Sequence, residues 1–196
     1  SEFDMLGGSL TCSAGPVVYN TNTSSYITFR DVDIAYGDDT TYFLQVTGNS
    51  SSRTWGKAGA NGANCIFTAY EMEMAHDVLY DTISNLDFYL LDGTAWEGAM
   101  LCDDTYNGGN SGDGTANVVI DASSVWNVTG DSEINGTLQL EGTIEGARVV
   151  GIDGTVYVEG DGYTVTVGAF SDTADISAAG TVPAWEDYAV DNPFTE

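Results

Sequence analysis

The sequence predicts an all-β protein, a parallel β-helix (β-solenoid) with a short C-terminal β cap, and three observations predict it. Helix signals are almost absent, with 24 glycines in 196 residues and short apolar segments rich in Val, Ile, Thr, Tyr and Trp. A strand–corner–strand unit recurs along the chain. The corners carry Asn or Asp, which tolerate left-handed backbone and bond their own main chain, so they turn a chain sharply between strands.

Three segments carry the repeat. Val17-Val18-Tyr19-Asn20 is followed by a polar stretch and Tyr26-Ile27-Thr28-Phe29. Val78-Leu79-Tyr80-Asp81 leads in the same way to Leu86-Asp87-Phe88-Tyr89-Leu90, and Val118-Val119-Ile120-Asp121 to Trp126-Asn127-Val128-Thr129. An alternating strand buries one row of side chains and shows the other to water. One such unit cannot hide its apolar row. Stacking successive units in parallel closes a shared core and pairs each backbone with its neighbours.

The intervening segments fit this scheme. Gly48 to Asn64 and Asp103 to Gly114 are rich in Gly, Ser and Asn and read as surface loops inserted at corners. Ala69 to Val78 could pass for a short helix, but strand-like neighbours on both sides make it strand. His76, the only histidine, reads as a corner residue. Beyond residue 130 the units shorten. A hairpin from Thr155–Val158 to Tyr163–Val167, turned by Glu159-Gly160-Asp161-Gly162, is expected to cap the stack. Residues 1–4 read as a cloning scar, 5–182 as the solenoid with its cap, and 183–196, with Trp185 and Tyr188, as a tail packing on the cap. The abrupt start at Gly7-Gly8-Ser9 suggests a missing neighbouring coil.

Charge excludes several partners. Thirty acidic residues stand against four basic ones, Arg30, Arg53, Lys57 and Arg148, for a net charge of −26. Nucleic acid binding needs clustered Lys and Arg, and an anionic membrane surface would repel this chain. No apolar run approaches the roughly 20 residues of a membrane span, so no direct membrane insertion is expected. Cys12, Cys65 and Cys102 show no C-x-x-C spacing. They are either three small buried hydrophobes or one disulfide and a free thiol, with Cys65 in the apolar run Cys65-Ile66-Phe67 favouring burial.

Three kinds of site are conceivable. Carboxylate pairs of the kind glycosidases use occur at Asp38-Asp39, Asp103-Asp104 and Asp31-x-Asp33, the last able to line up with Glu71 and Glu73 on the next coil. Pairs arise by chance among so many acids, and a solvated acidic face is the plainer reading. Calcium needs clustered oxygens: Asp103, Asp104, Asp113, Asp153 and Asp161 are candidate ligands, although Asp-Gly turn formation accounts for several of them. Exposed aromatics bind sugars by stacking, and Trp55, Trp96 and Tyr106 are the candidates, whereas Trp126 reads as core. Threonine rows such as Thr164 and Thr166 do not repeat over enough coils for an ice-binding array.

The run Asp121-Ala122-Ser123-Ser124-Val125-Trp126-Asn127-Val128-Thr129-Gly130-Asp131-Ser132 resembles the S-x-W-x-V-T-G-x-S coil of pertactin-like and autotransporter-like β-helices. Gly15 to Asn22 and Asp81 to Leu90 are similar to coils of large surface proteins of gut bacteria. The resemblance covers roughly residues 8 to 170 and carries no catalytic constellation. It implies a right-handed helix, export to the extracellular surface, and a non-catalytic role as adhesin or rigid display stalk, monomeric as a fragment. A host glycan or protein would be the partner, and no cofactor is implied. The alternatives are a glycan-active β-helix enzyme using surface carboxylates and a calcium-stiffened structural module.

Overall fold

The computed structural model describes residues 1–50 and 56–182. Among them are nineteen strands, one short 3-10 turn and no α-helix. The first eight strands are β1 (Glu2–Leu6), β2 (Ser9–Gly15), β3 (Val18–Asn20), β4 (Ser24–Arg30), β5 (Asp33–Thr40), β6 (Leu44–Val46), β7 (Asn64–Tyr70) and β8 (Glu73–Ala75). The middle of the chain holds β9 (Val78–Tyr80), β10 (Asn85–Leu91), β11 (Ala95–Gly98), β12 (Met100–Cys102), β13 (Ala116–Ile120) and β14 (Val125–Val128). It ends with β15 (Ser132–Leu140), β16 (Thr143–Glu145), β17 (Ala147–Gly151), β18 (Val156–Val158) and β19 (Tyr163–Ser171).

Strand pairing follows a period of three through most of the chain. The long sheet runs β1-β4-β7-β10-β13-β15-β19-β17-β18. A second face is formed by β2-β5 and, separately, β8-β11-β14-β16, and a third sheet by β3-β6-β9-β12. All neighbours are parallel except β17 and β18, where Val149 faces Val158. Parallel pairing of every third strand puts equivalent residues above one another. Phe3, Ile27, Phe67, Phe88, Val118, Leu138 and Phe170 make one inward file. A chain of ring contacts runs through the core from Phe29 by Phe67 and Phe88 to Trp96 and Trp126.

The corners show why the chain turns where it does. Asp31, Glu71 and Asp92 end β4, β7 and β10 in the left-handed region, with φ of 52°, 54° and 54°. They stack, and the Arg30 guanidinium lies 2.7 Å from Glu71 and 3.8 Å from Asp92, offsetting their mutual repulsion. His76 turns β8 into β9 with φ 74°, the corner the sequence predicts, and the Ala69–Val78 segment is strand broken by that corner and Glu71.

Two expectations change. The third repeat is displaced by one face. Val18–Asn20 and Val78–Tyr80 belong to the third sheet and lead into the long one, whereas Ala116–Ile120 already lies in the long sheet and leads into the second face. The likeness arises because different corners use the same chemistry. The N–H of Ser84 donates to the Asp81 carbonyl, and that of Ser124 to the Asp121 carbonyl, both at 3.1 Å.

The terminal hairpin also differs. β18 pairs with β17 through a turn at Ile152–Thr155, and β19 inserts in parallel between β15 and β17. The Gly154 N–H donates to the Gly151 carbonyl at 2.8 Å, and Asp153 accepts from the Thr155 N–H at 2.9 Å, closing that turn in place of Glu159–Gly162.

Residues 172–182 follow the last strand. They cross the outer surface of the long sheet toward its N-terminal strands. The Asp175 N–H donates to the Gln139 side chain on β15, and the Gly180 N–H to Thr68 on β7. The Tyr70 hydroxyl donates to the Gly180 carbonyl at 2.6 Å. Ala174 and Ala179 cover Tyr89, Leu91 and Val119, which explains burial on a face that would otherwise meet water. The tail expected over 183–196 lies outside the described residues. Residues 1–4, set apart on sequence grounds, lead into and begin β1, which pairs with β4.

Candidate functional site

The structure scatters the aromatic candidates. Trp96 is fully buried, not an exposed edge: its ring stacks on Trp126 at 4.7 Å and its indole N–H donates to the His76 carbonyl at 2.9 Å. Trp126 is core, as read. The inward phase of β11 decides this, because Trp96 is in register with Met74 and Trp126 on the same inward row. Tyr106 is half-buried, with its hydroxyl 3.1 Å from that of Tyr42. Burial and that hydrogen bond push the Tyr42 hydroxyl up to about 12. Trp55 lies outside the described residues.

Three of the five proposed calcium ligands, Asp103, Asp104 and Asp153, are engaged in local structure. Asp103 caps the 3-10 turn Asp104–Asn107 by accepting from the Thr105 N–H at 2.9 Å. Asp104 accepts from the N–H and hydroxyl of Thr82 and from Asn107. Asp153 closes its hairpin turn, and Asp113 and Asp161 stand exposed on separate loops. Among the described residues no group of three or more His, Cys, Asp or Glu could hold a metal ion. The cysteines are free thiols, and burial pushes Cys65 and Cys102 up to about 11.

One carboxylate alignment does assemble. Asp31, Asp33, Glu71 and Glu73 line a hollow of about 340 Å³ together with Val32 and Ile34. It sits where the second face splits, since β5 and β8 share no ladder. The Val32 N–H meets the Met72 sulfur at 3.2 Å, and the Ala75 N–H donates to the Tyr36 hydroxyl at 3.0 Å. Glu71 is held below the usual carboxylate range by its hydrogen bond with Arg30.

A different surface combines the features of a ligand groove. On the long sheet Ser24, Ser25, Tyr26, Asn64, Cys65, Ile66, Asn85 and Asp87 line a depression of about 290 Å³. Parallel register builds it: Ser24, Asn64 and Asn85 form one outward row, and Tyr26, Ile66 and Asp87 the next. The amides link the rungs, with Asn85 Nδ2 donating to Asn64 Oδ1 at 2.7 Å and Asn64 Nδ2 to Ser24 Oγ at 3.3 Å. Asn117 Nδ2 holds Asp87 at 2.8 Å. Tyr26 is 54% exposed, and no Lys or Arg among the described residues lines the depression. Sequence reasoning missed these residues because Asn64–Tyr70 was not aligned with Ser24–Arg30 and Asn85–Leu91. The shared alternation around Ile27, Phe67 and Phe88 was the available signal.

No family model matches the chain, and comparisons with curated proteins and with solved structures give no match.

Proposed function

We propose that this chain is a right-handed parallel β-helix module of an extracellular bacterial surface protein, acting without catalysis as a rigid display stalk or adhesive segment. The observation that carries the reading is the strand order, in which parallel neighbours are three strands apart through most of the chain. Connections between parallel strands of one sheet are right-handed in nearly all proteins, which favours that winding. Stacked coils with continuous inward files make a stiff body, because each coil is braced by those above and below. The loops between β6 and β7 and between β12 and β13 touch each other, the Gly59 N–H donating to the Asn107 carbonyl at 2.9 Å, and are suited to display. The resemblance of the Ser124–Ser132 run to coils of autotransporter-like β-helices supports export. A surface at net −26 supports dispersal in salt rather than attachment to polyanions.

The test is incubation with a panel of plant and mucin glycans, alongside limited proteolysis. No new reducing ends or unsaturated products are expected, and cleavage is expected in the loops while the stacked coils stay intact. The gathering of Asp31, Asp33, Glu71 and Glu73 favours a second reading, a glycan-active enzyme. Product release abolished by Asp33→Asn or Glu73→Gln would replace the first reading with the second.

A further inference from the structure

We infer that the depression on the long sheet is a binding site for an uncharged polysaccharide chain, with the Tyr26 ring as its platform. The inference rests on the adhesive form of the function proposed above and names the ligand class for it.

The argument begins with the rungs. Parallel strands repeat at about 4.8 Å, so one outward row presents the same chemistry at regular steps. Here one row is Ser24, Asn64 and Asn85, each exposed, carrying a hydroxyl and two amides. A side-chain amide both donates and accepts, as a sugar hydroxyl does, so a rung-by-rung amide row suits a polyhydroxylated chain. The adjoining row places the half-exposed Tyr26 ring beside Ile66, giving an apolar surface for the C–H face of a sugar. Apolar cover with a few oriented polar groups is the general composition of a ligand site.

On the same outer face the segment carrying Ala174 and Ala179 packs on Tyr89, Leu91 and Val119, while Tyr26 stays 54% exposed. Charge then selects among ligands. The one carboxylate in the groove, Asp87, is held by Asn117 and serves as a hydrogen-bond acceptor. The net charge of −26 and a lining that, among the described residues, has no Lys or Arg side chain oppose uronate or sulfated chains. Beneath the groove Cys65 is buried, and burial pushes its thiol up to about 11, so the floor is neutral at physiological pH.

The test is affinity electrophoresis of the full chain through gels containing mixed-linkage β-glucan, galactomannan, arabinoxylan or dextran, with polygalacturonate as the charged comparison. Retardation by at least one neutral polysaccharide and none by polygalacturonate is expected. Tyr26→Ala should weaken that binding about tenfold at an unchanged melting midpoint. Tyr26→Leu, which keeps apolar cover but removes the ring face, should weaken it similarly and stands in if the alanine variant misfolds. Ile152→Ala, far along the chain and 77% exposed, should bind as the parent does. Wild-type protein unretarded by every neutral polysaccharide overturns the inference and leaves the stalk reading standing. Retardation unaffected by either Tyr26 substitution also overturns it, placing the adhesive contact elsewhere. Binding of polygalacturonate as strong as that of neutral chains removes the charge argument and the inference with it.

Discussion

Trp96 and Trp126 stack with ring centroids 4.7 Å apart and planes 14° from parallel, each indole N–H donating to a corner carbonyl, His76 for the first and Gly98 for the second. Gly98 makes the arrangement possible: a Cβ there would lie 2.6 Å from the Trp96 indole nitrogen and 2.5 Å from the His76 carbonyl oxygen. Trp96→Ala should therefore cost roughly 3–5 kcal/mol of stability, through lost burial and the cavity left behind. Urea unfolding measures it, and a loss below about 1 kcal/mol would contradict the packing described.

The strap over the long sheet is held by few contacts. A Cβ on Gly180 would lie 2.4 Å from Thr28 Oγ1, so Gly180→Ala should lift the strap from Thr28 and Thr68. Faster amide exchange at Gly180 and new protease cleavage within residues 172–182 are expected, with the global unfolding midpoint little changed. Unaltered exchange at Gly180 would show that the sheet yields instead.

Two corner aspartates should respond to pH in opposite senses. Burial raises the Asp81 carboxyl, against hydrogen bonds from Ser84 and the Gly48 N–H, so its contribution is present at low pH and lost as pH rises through the folded-state value. At Asp121 desolvation is outweighed by hydrogen bonds from the Asp92 N–H, Ser123 and Ser124, and the carboxyl is lowered. Its contribution is present above the unfolded value and lost as pH falls through the folded one. Asp121→Asn should flatten the acid limb of a stability–pH profile. Asp81→Asn should gain on the parent as pH rises from acid to neutral, and parallel profiles would refute the assignment.

Net charge sets the response to salt. With 30 carboxylates and 4 basic residues, sodium chloride raised from about 20 mM to about 500 mM should lift the melting midpoint by a few degrees, since the Debye length falls well below the molecule's size. A flat response would mean that repulsion is already offset locally.

Calcium should add nothing to that screening. Asp103, Asp104 and Asp153 are spent on backbone and hydroxyl donors, and Asp113 and Asp161 stand on separate loops. Melting curves in calcium chloride and in sodium chloride of equal ionic strength are expected to coincide. A calcium-specific rise would favour the stiffened-module reading.

Alternation and turn chemistry are local, so the all-β class, the strand between Ala69 and Val78, the His76 corner, the buried Trp126 and the alignment of Asp31 and Asp33 with Glu71 and Glu73 could all be read along the chain. Which face a strand joins is not local. Asp81 and Asp121 turn the chain with the same bonds at different corners, and only the pairing of β13 with β10 assigns the third repeat to its face. Inward phase is likewise set by neighbours, which is why Trp96 is core. The groove of Tyr26, Asn64, Asn85 and Asp87 draws on three strands far apart in sequence. It exists only because parallel register lays equivalent residues on adjacent rungs, a relation that no single stretch of chain contains.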